Sequence, residues 1–238
     1  MKRRINNHII GHENIKIHRM LHISDTHCHH NGLELQLDNV ETIMHTGDAT
    51  NSRAPTINLM EWEKFIEWYA SLPVKNKIYV PGNHDAACHH YRSFIKDSCA
   101  AADVHYLDKT AVEINGIVFY GDPTTPTFGS WYFMSERHKI NRHWEMIPEE
   151  TQVLLTHGPR KGFLDLTDHG SVGDKSLGKR IDTLPNLLLH CFGHIHDHFE
   201  IKNNGILIRD GITYSNAACV EDGLISEGIK NHGNYLVI

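Results

Sequence analysis

The sequence predicts an α/β fold, and three observations carry that prediction. Short apolar runs of strand length end in polar clusters, one stretch between two of them recurs at helical spacing, and an Asn-Gly pair separates two more. Residues 20–23 form the first run and end at Ser24-Asp25-Thr26-His27, and residues 41–45 form the second and end at Thr46-Gly47-Asp48. Over 58–70, Leu59, Trp62, Phe65, Ile66 and Tyr69 repeat with the period of an amphipathic helix, and Pro73 supplies the stop. Residues 77–80 give a third strand, closed by Pro81-Gly82 and followed by Asn83-His84-Asp85. Strand, helix and strand in this order read as a βαβ unit.

Residues 112–114 and 117–120 flank Asn115-Gly116, a two-residue hairpin signal, so sheet continues past the middle of the chain. The segment 122–144 is rich in Pro, Gly and aromatic residues and has weak periodicity, as expected of a lid or binding wall. Its Phe128, Trp131, Tyr132 and Phe133 either stack a nucleobase or pack as core beneath a lid. Residues 152–155 end at Thr156-His157-Gly158-Pro159, and residues 187–192 end at Gly193-His194-Ile195-His196. Residues 206–209, 213–215 and 235–237 read as closing antiparallel strands. With no repeat, linker or composition shift, residues 1–238 are expected to form one domain, with 1–18 as an N-terminal extension.

Composition narrows the function classes. Apolar residues at 40% and charged residues at 22% are ordinary for a globular protein, which excludes a disordered or fibrous chain. A net charge of −6 argues against broad neutralisation of duplex DNA, so long duplex nucleic acid is not the expected partner and a small substrate is. The five cysteines lack a close CxxC pair and form neither a disulfide framework nor a zinc knuckle. No apolar run reaches bilayer length and the first residues lack the apolar core of a signal peptide, so no membrane association and a cytoplasmic location are expected. The outlier is 21 histidines, which point toward a metal site. His29, His30, His89 and His90, two pairs in loops, are expected at the solvated surface.

Five polar clusters stand where strands end: Asp25-x-His27, Gly47-Asp48, Gly82-Asn83-His84-Asp85, Thr156-His157-Gly158 and Gly193-His194-x-His196. The crevice beyond the strand ends is where open α/β sheets build their sites, so residues remote in sequence converge there. Carboxylate, imidazole and amide donors without thiolate suit Mn²⁺, Fe²⁺ or Zn²⁺ better than Ca²⁺ or Mg²⁺.

This series resembles the calcineurin-like metallophosphoesterase superfamily, in the branch of the brain metallophosphoesterase-domain proteins and their bacterial relatives. The resemblance implies a four-layer α/β/β/α sandwich with two mixed β-sheets flanked by helices. It further implies two divalent metal ions, Mn²⁺ foremost with Fe²⁺, Zn²⁺ or Mg²⁺ as alternatives. One ion would be held by Asp25, His27, Asp48 and His196, and the other by Asp48, Asn83, His157 and His194, with Asp48 bridging. His84 would reach the phosphate and leaving oxygen, Asp85 would orient His84 through a hydrogen bond, and Asn83, His84 and Arg160 would touch substrate. Arg160 stands where the branch commonly has proline, and either contacts a second anionic group or faces solvent. The implied activity is hydrolysis of small phosphodiesters such as cyclic nucleotides through water activated by the metal pair. Phosphomonoesterase, protein phosphatase and non-catalytic nucleotide binding remain the alternatives.

Overall fold

A computed structural model of the chain describes residues 17–223 and 225–238, so most of the expected N-terminal extension, residues 1–16, lies outside the described residues. In chain order the elements begin with β1 (Arg19–Ile23), β2 (Thr42–His45), α1 (Pro55–Ser71), β3 (Asn76–Tyr79), α2 (Ala86–His90), α3 (Arg92–Ala101) and β4 (Val104–Tyr106). There follow β5 (Thr110–Ile114), β6 (Ile117–Asp122), β7 (Thr125–Pro126), β8 (Met134–Ser135), α4 (Asn141–Trp144), β9 (Val153–Thr156), β10 (Leu166–Thr167) and β11 (Gly170–Ser171). The chain ends with α5 (Lys175–Ile181), β12 (Leu189–Phe192), β13 (Gly205–Arg209), β14 (Ile212–Asn216) and β15 (Asn234–Val237).

Two mixed sheets dominate. The first has the order β15-β1-β2-β3-β4, with β1 to β4 parallel and β15 antiparallel to β1. The second has the order β13-β14-β12-β9-β6-β5, parallel at its centre and antiparallel at both edges. Residues 206–209 and 213–215 do form an antiparallel hairpin, and β14 also runs parallel to β12 on its other side. The Asn115-Gly116 turn joins β5 to β6 with both residues at positive φ, 55° and 85°, as a type I′ hairpin requires.

Alternation of side chains along these strands builds the layers, because successive residues of a strand face opposite sides. Met20, Met44, Ile78 and Val80 of the first sheet meet Phe119, Val153, Leu155, Leu189 and Cys191 of the second in one buried cluster. Their alternates Leu21, Ile23, Ile43 and Tyr79 pack outward against Trp62, Phe65 and Tyr69 of α1 and Ile95 and Cys99 of α3. On the far side, Tyr120, Leu154, Phe192 and Tyr214 pack against Trp144 of α4 and Leu177 and Ile181 of α5. Three apolar interfaces between four layers give the α/β/β/α sandwich.

α1 starts at Pro55, whose missing N–H costs nothing in the first turn, and buries Asn58, Trp62, Phe65 and Tyr69 along one stripe. Tyr69 Oη reaches the carbonyls of Ile43 and Ile78 at 3.0 and 2.9 Å, which ties the helix across β2 and β3. His30 lies not at the surface but beneath α1, 3% exposed, with its ring 4.9 Å from that of Trp68. Burial lowers its pKa to about 4 and keeps it neutral. His89 and His90 are exposed at the end of α2. Among the described residues no helix is long and apolar enough to cross a membrane.

Candidate metal centre

The parallel strands of both sheets deliver their C-terminal ends to one edge of the sandwich, where Ser24 just beyond β1 bridges in parallel to Ala218 just beyond β14. Backbone of unusual conformation gathers there: Asp25, His27, Cys28, Asp48 and His194 all adopt positive φ, between 41° and 69°, a region uncommon for non-glycine residues.

Two donor clusters result. The side-chain ligand atoms of Asp25, His27 and His196 lie within 4.8 Å of one another, as do those of Asp48, His157 and His194. His196 Nε2 is 3.1 Å from Asp25 Oδ1, and His157 Nε2 is 3.3 Å from Asp48 Oδ2 and 3.0 Å from Asn83 Oδ1. Asp48 Oδ2 also lies 3.8 Å from His27 Nε2, so this carboxylate stands between the clusters. A third group, His27, Asp48 and His84, closes the gap. The structure therefore brings together Asp25, His27, Asp48, Asn83, His84, His157, His194 and His196.

Each carboxylate is held by main chain through one oxygen and turned to the histidines with the other. Asp25 Oδ2 accepts the His194 N–H at 2.9 Å, and Asp48 Oδ1 accepts the His84 N–H at 2.7 Å. Two glycines permit this approach. A Cβ on Gly193 would collide with Asp25 Oδ2, and one on Gly82 with Asp48 Oδ1. His157 Nδ1 donates to the Thr46 carbonyl at 2.8 Å, so its Nε2 is the nitrogen turned to the cluster, where it faces two oxygens. Neither ring nitrogen of buried His27 has a hydrogen-bond partner.

Electrostatics agree. Burial would raise the Asp25 and Asp48 pKa values, but the surrounding histidines, His196 foremost for Asp25 and His157 for Asp48, carry both below the usual carboxylate range. Burial lowers His27 and His194 to about 3 and leaves them neutral. For His157, burial is outweighed by the Asp48 charge and the value is pushed up to about 9; for His196 the Asp25 hydrogen bond and charge likewise raise it. Two ionised carboxylates, an amide oxygen and four imidazoles thus converge, with His157 and His196 Nε2 turned to the carboxylates, a donor set that fits divalent cations of intermediate softness once those two rings give up a proton.

Two expectations from sequence are corrected. Asp85 does not touch the His84 ring. Its Oδ2 accepts from Gly82 N–H at 2.6 Å, Asp48 N–H at 2.9 Å and Tyr79 Oη at 2.7 Å, while its Oδ1 accepts from Thr50 N–H at 3.1 Å and Thr50 Oγ1 at 2.7 Å. Asp85 is the buried knot joining the loops after β2 and β3. Arg160 points away from the centre: its Nη1 donates to Asp182 Oδ1 at 2.7 Å and its guanidinium lies 4.3 Å from the Phe163 ring centre. Cys28 is no nucleophile, because burial together with Glu61 pushes its thiol up to about 12.

A cavity of about 460 Å³ opens over Asp48, Asn83, His84, His194 and His196. Its outer wall includes Phe128, Trp131, Arg137, His198 and Asp222. His198 comes from the segment just after His196. Arg137 had no sequence signal, since its Nη1 and Nη2 reach the carbonyls of Gly173 and Val172 across the fold. Asn58 was missed for the same reason: from α1 it donates to the His84 carbonyl at 2.9 Å and accepts the Ala87 N–H at 2.8 Å, fixing the turn that carries Asn83 and His84.

With this geometry in place, the family model for calcineurin-like phosphoesterases matches residues 18–198. The chain belongs to that family. Human metallophosphoesterase domain-containing protein 1 is 29% identical over 226 residues, which cover 84% of this chain and 65% of the human protein, so the chain spans about two thirds of that relative's length. A solved structure with 14% identity covers 94% of this chain at a TM-score of 0.67, and a dimetal phosphatase from Danio rerio, 10% identical, covers 84% at 0.50. These likenesses establish the fold of this calcineurin-like phosphoesterase, and family membership implies a dimetal centre for which the residues above are the candidate ligands.

Proposed function

We propose that the chain is a metal-dependent phosphoesterase acting on small phosphodiesters, with cyclic nucleotides as the leading substrate class. The observation that carries this reading is the pair of donor clusters with Asp48 standing between them at the floor of a cavity. Asp25, His27, Asp48 and His196 would hold one ion, and Asp48, Asn83, His157 and His194 the other, with Mn²⁺ the favoured metal. When bound, two such ions supply Lewis-acid activation of water and neutralise charge on the phosphate.

The chain's own residues do the rest. Thr46 holds the His157 proton at Nδ1 and leaves Nε2 as a ligand. Asn83 offers its carbonyl to the cluster, which leaves its amide N–H groups for a phosphate oxygen. His84 Nδ1 donates to the Asn51 carbonyl at 3.4 Å, so Nε2 is the nitrogen available to the cavity, where in protonated form it gives its proton to the departing oxygen. Beside the donor clusters the cavity is lined by Leu166, His169 and Ile225 as well as Phe128 and His198, which gives room for the second substituent of a diester.

The test is hydrolysis of bis-p-nitrophenyl phosphate beside p-nitrophenyl phosphate by metal-stripped protein, with Mn²⁺, Mg²⁺, Zn²⁺ or nothing restored. Diester turnover that requires added Mn²⁺ is expected. Preference for the monoester would replace the reading by a phosphomonoesterase, and nucleotide binding without turnover under any metal would replace it by a binding protein.

A further inference from the structure

With Asp85 engaged by the loops, the bond from His84 Nδ1 to the Asn51 carbonyl is the one hydrogen bond on that ring among the described residues, and at 3.4 Å it is too long to fix the ring by itself. What lies against the ring is aromatic. The Trp131 indole sits 4.0 Å from it, centre to centre, with the planes inclined by 30°. The His27 ring also meets it, 4.7 Å away centre to centre with the planes near perpendicular. The Arg53 guanidinium covers the other face of Trp131, 3.6 Å from the ring centre.

Arg53, Trp131, His84 and His27 therefore form a column running from an exposed cation to a fully buried imidazole. The loop that carries Trp131 is pinned at its base, where β7 and β8 pair and Thr125 and Thr127 N–H donate to the Phe133 and Ser135 carbonyls at 2.9 and 3.0 Å. It is also fastened to both neighbours of the column. Tyr132 N–H donates to the Asn83 carbonyl at 3.2 Å, and Tyr132 Oη donates to the Arg53 carbonyl at 3.2 Å. With both faces covered, Trp131 has no free face on which a nucleobase could stack.

We propose that Trp131 is the positioning residue for His84: it holds the imidazole plane so that Nε2 presents to the leaving oxygen, with Arg53 bracing the indole from behind. The proposal rests on the reading of His84 given above, and takes over the orienting role that Asp85 does not fill. A planar wall in van der Waals contact restricts rotation of the ring, whereas a single long hydrogen bond leaves it free to swing.

The experiment is a double-mutant cycle on the metal-loaded protein, with His84→Ala, Trp131→Ala, Trp131→Phe and the two tryptophan variants in the His84→Ala background. Trp131→Ala should lower kcat by about 10- to 100-fold with KM little changed, the penalty of a misplaced catalytic group. Trp131→Phe should recover most of that loss, and neither substitution should lower kcat further once His84 is alanine. Equal losses in both backgrounds, or a rise in KM with kcat intact, would make Trp131 a substrate wall or a general structural residue and overturn the proposal. A second readout needs no turnover: in metal-free protein the carbon-bound protons of the His84 ring should resonate upfield because of the indole ring current. That displacement should vanish in Trp131→Ala and persist in Trp131→Phe, and its absence from the parent protein would sink the stack. Should His84→Ala itself retain full turnover, the role given to His84 fails, and the ring-current measurement still reports separately on the column.

Discussion

His157 Nδ1 donates to the Thr46 carbonyl at 2.8 Å, and this single bond decides which way the imidazole works. The carbonyl can only accept, so Nδ1 keeps its proton and Nε2 is the nitrogen turned upon Asn83 and Asp48, the one free to deprotonate and bind a cation. A ligand from the second sheet is thereby oriented by main chain from the first.

Asp48 belongs to two of the three donor groups, so its replacement should be felt by both metals. Asp48→Asn is expected to lower bound metal at both positions and to reduce turnover by more than about 100-fold, since even partners of ligands cost 10- to 100-fold. Metal analysis of the purified variant checks this; one full equivalent retained with normal turnover would contradict a bridging role.

Gly193→Ala places a methyl group against Asp25 Oδ2 and Ser24 Oγ. The expected result is a folded protein, destabilised by about 1–3 kcal/mol through overpacking, whose metal affinity has fallen because Asp25 must move. Calorimetric titration with Mn²⁺ beside thermal unfolding separates the two effects.

Asp85 is fully buried and accepts from five donors, so its loss should weaken the fold as well as the site. Asp85→Asn turns an amide toward those donors and is expected to cost about 3 kcal/mol in chemical denaturation. Unchanged stability with reduced kcat would restore the simpler role of orienting His84.

Arg160→Met should leave KM for a small diester unchanged, because the guanidinium faces Asp182 and Phe163 rather than the cavity. Asp182 is largely exposed, so the lost ion pair should cost no more than about 1 kcal/mol of stability. A several-fold rise in KM would return Arg160 to the substrate.

Stability should fall on acidification through two buried rings near the site. His22 bridges Ser215 and Thr46 at 2.8 and 2.9 Å, and His45 accepts the Gly47 N–H at Nδ1. Burial lowers both to about 3 from an ordinary value of 6.5. Above pH 6.5 both rings are neutral whether the chain is folded or not, and they add no pH dependence. Below it only the unfolded chain takes up the protons, so each ring should remove roughly 2 kcal/mol between pH 6.5 and 5. His157, raised in the fold, adds nothing over that interval because its contribution is already complete below 6.5 and is lost only as pH rises toward 9. Urea titrations at pH 6.5 and 5 should show the loss, and His22→Gln should reduce the slope by one ring's share.

The donor set was legible because each ligand lies at or just past the end of a strand whose apolar run could be read directly, as with β1 before Asp25 and β12 before His194. What escaped was decided by contacts between distant segments. Asp85 finds Thr50 and Tyr79, and Arg160 finds Asp182, only once the sheets are assembled. α3 was also invisible: it buries only Ile95 and Cys99, too few positions to establish a period. α5 carried a readable signal in Asp174, whose side chain accepts the Leu177 N–H at 2.7 Å as an N-cap, yet its seven residues are too short for apolar spacing to announce it. The layer order needed the resemblance, since a continuous apolar run says that a strand is buried on both faces but not what covers each.

The candidate ligands come in two sets. Asp25, His27, Asp48 and Asn83 ride on the first sheet, and His157, His194 and His196 on the second, so the centre is a clasp across the seam between two slabs. Sliding one slab by a fraction of an ångström changes distances between the sets while leaving those within each set untouched. The apolar residues of the seam, Met20, Met44, Phe119 and Leu155 among them, therefore act as the gauge of the clasp. A change in their volume is transmitted to the jaws before it is felt by the hinges of the fold, and metal affinity becomes the most sensitive reporter of how well the two slabs are packed.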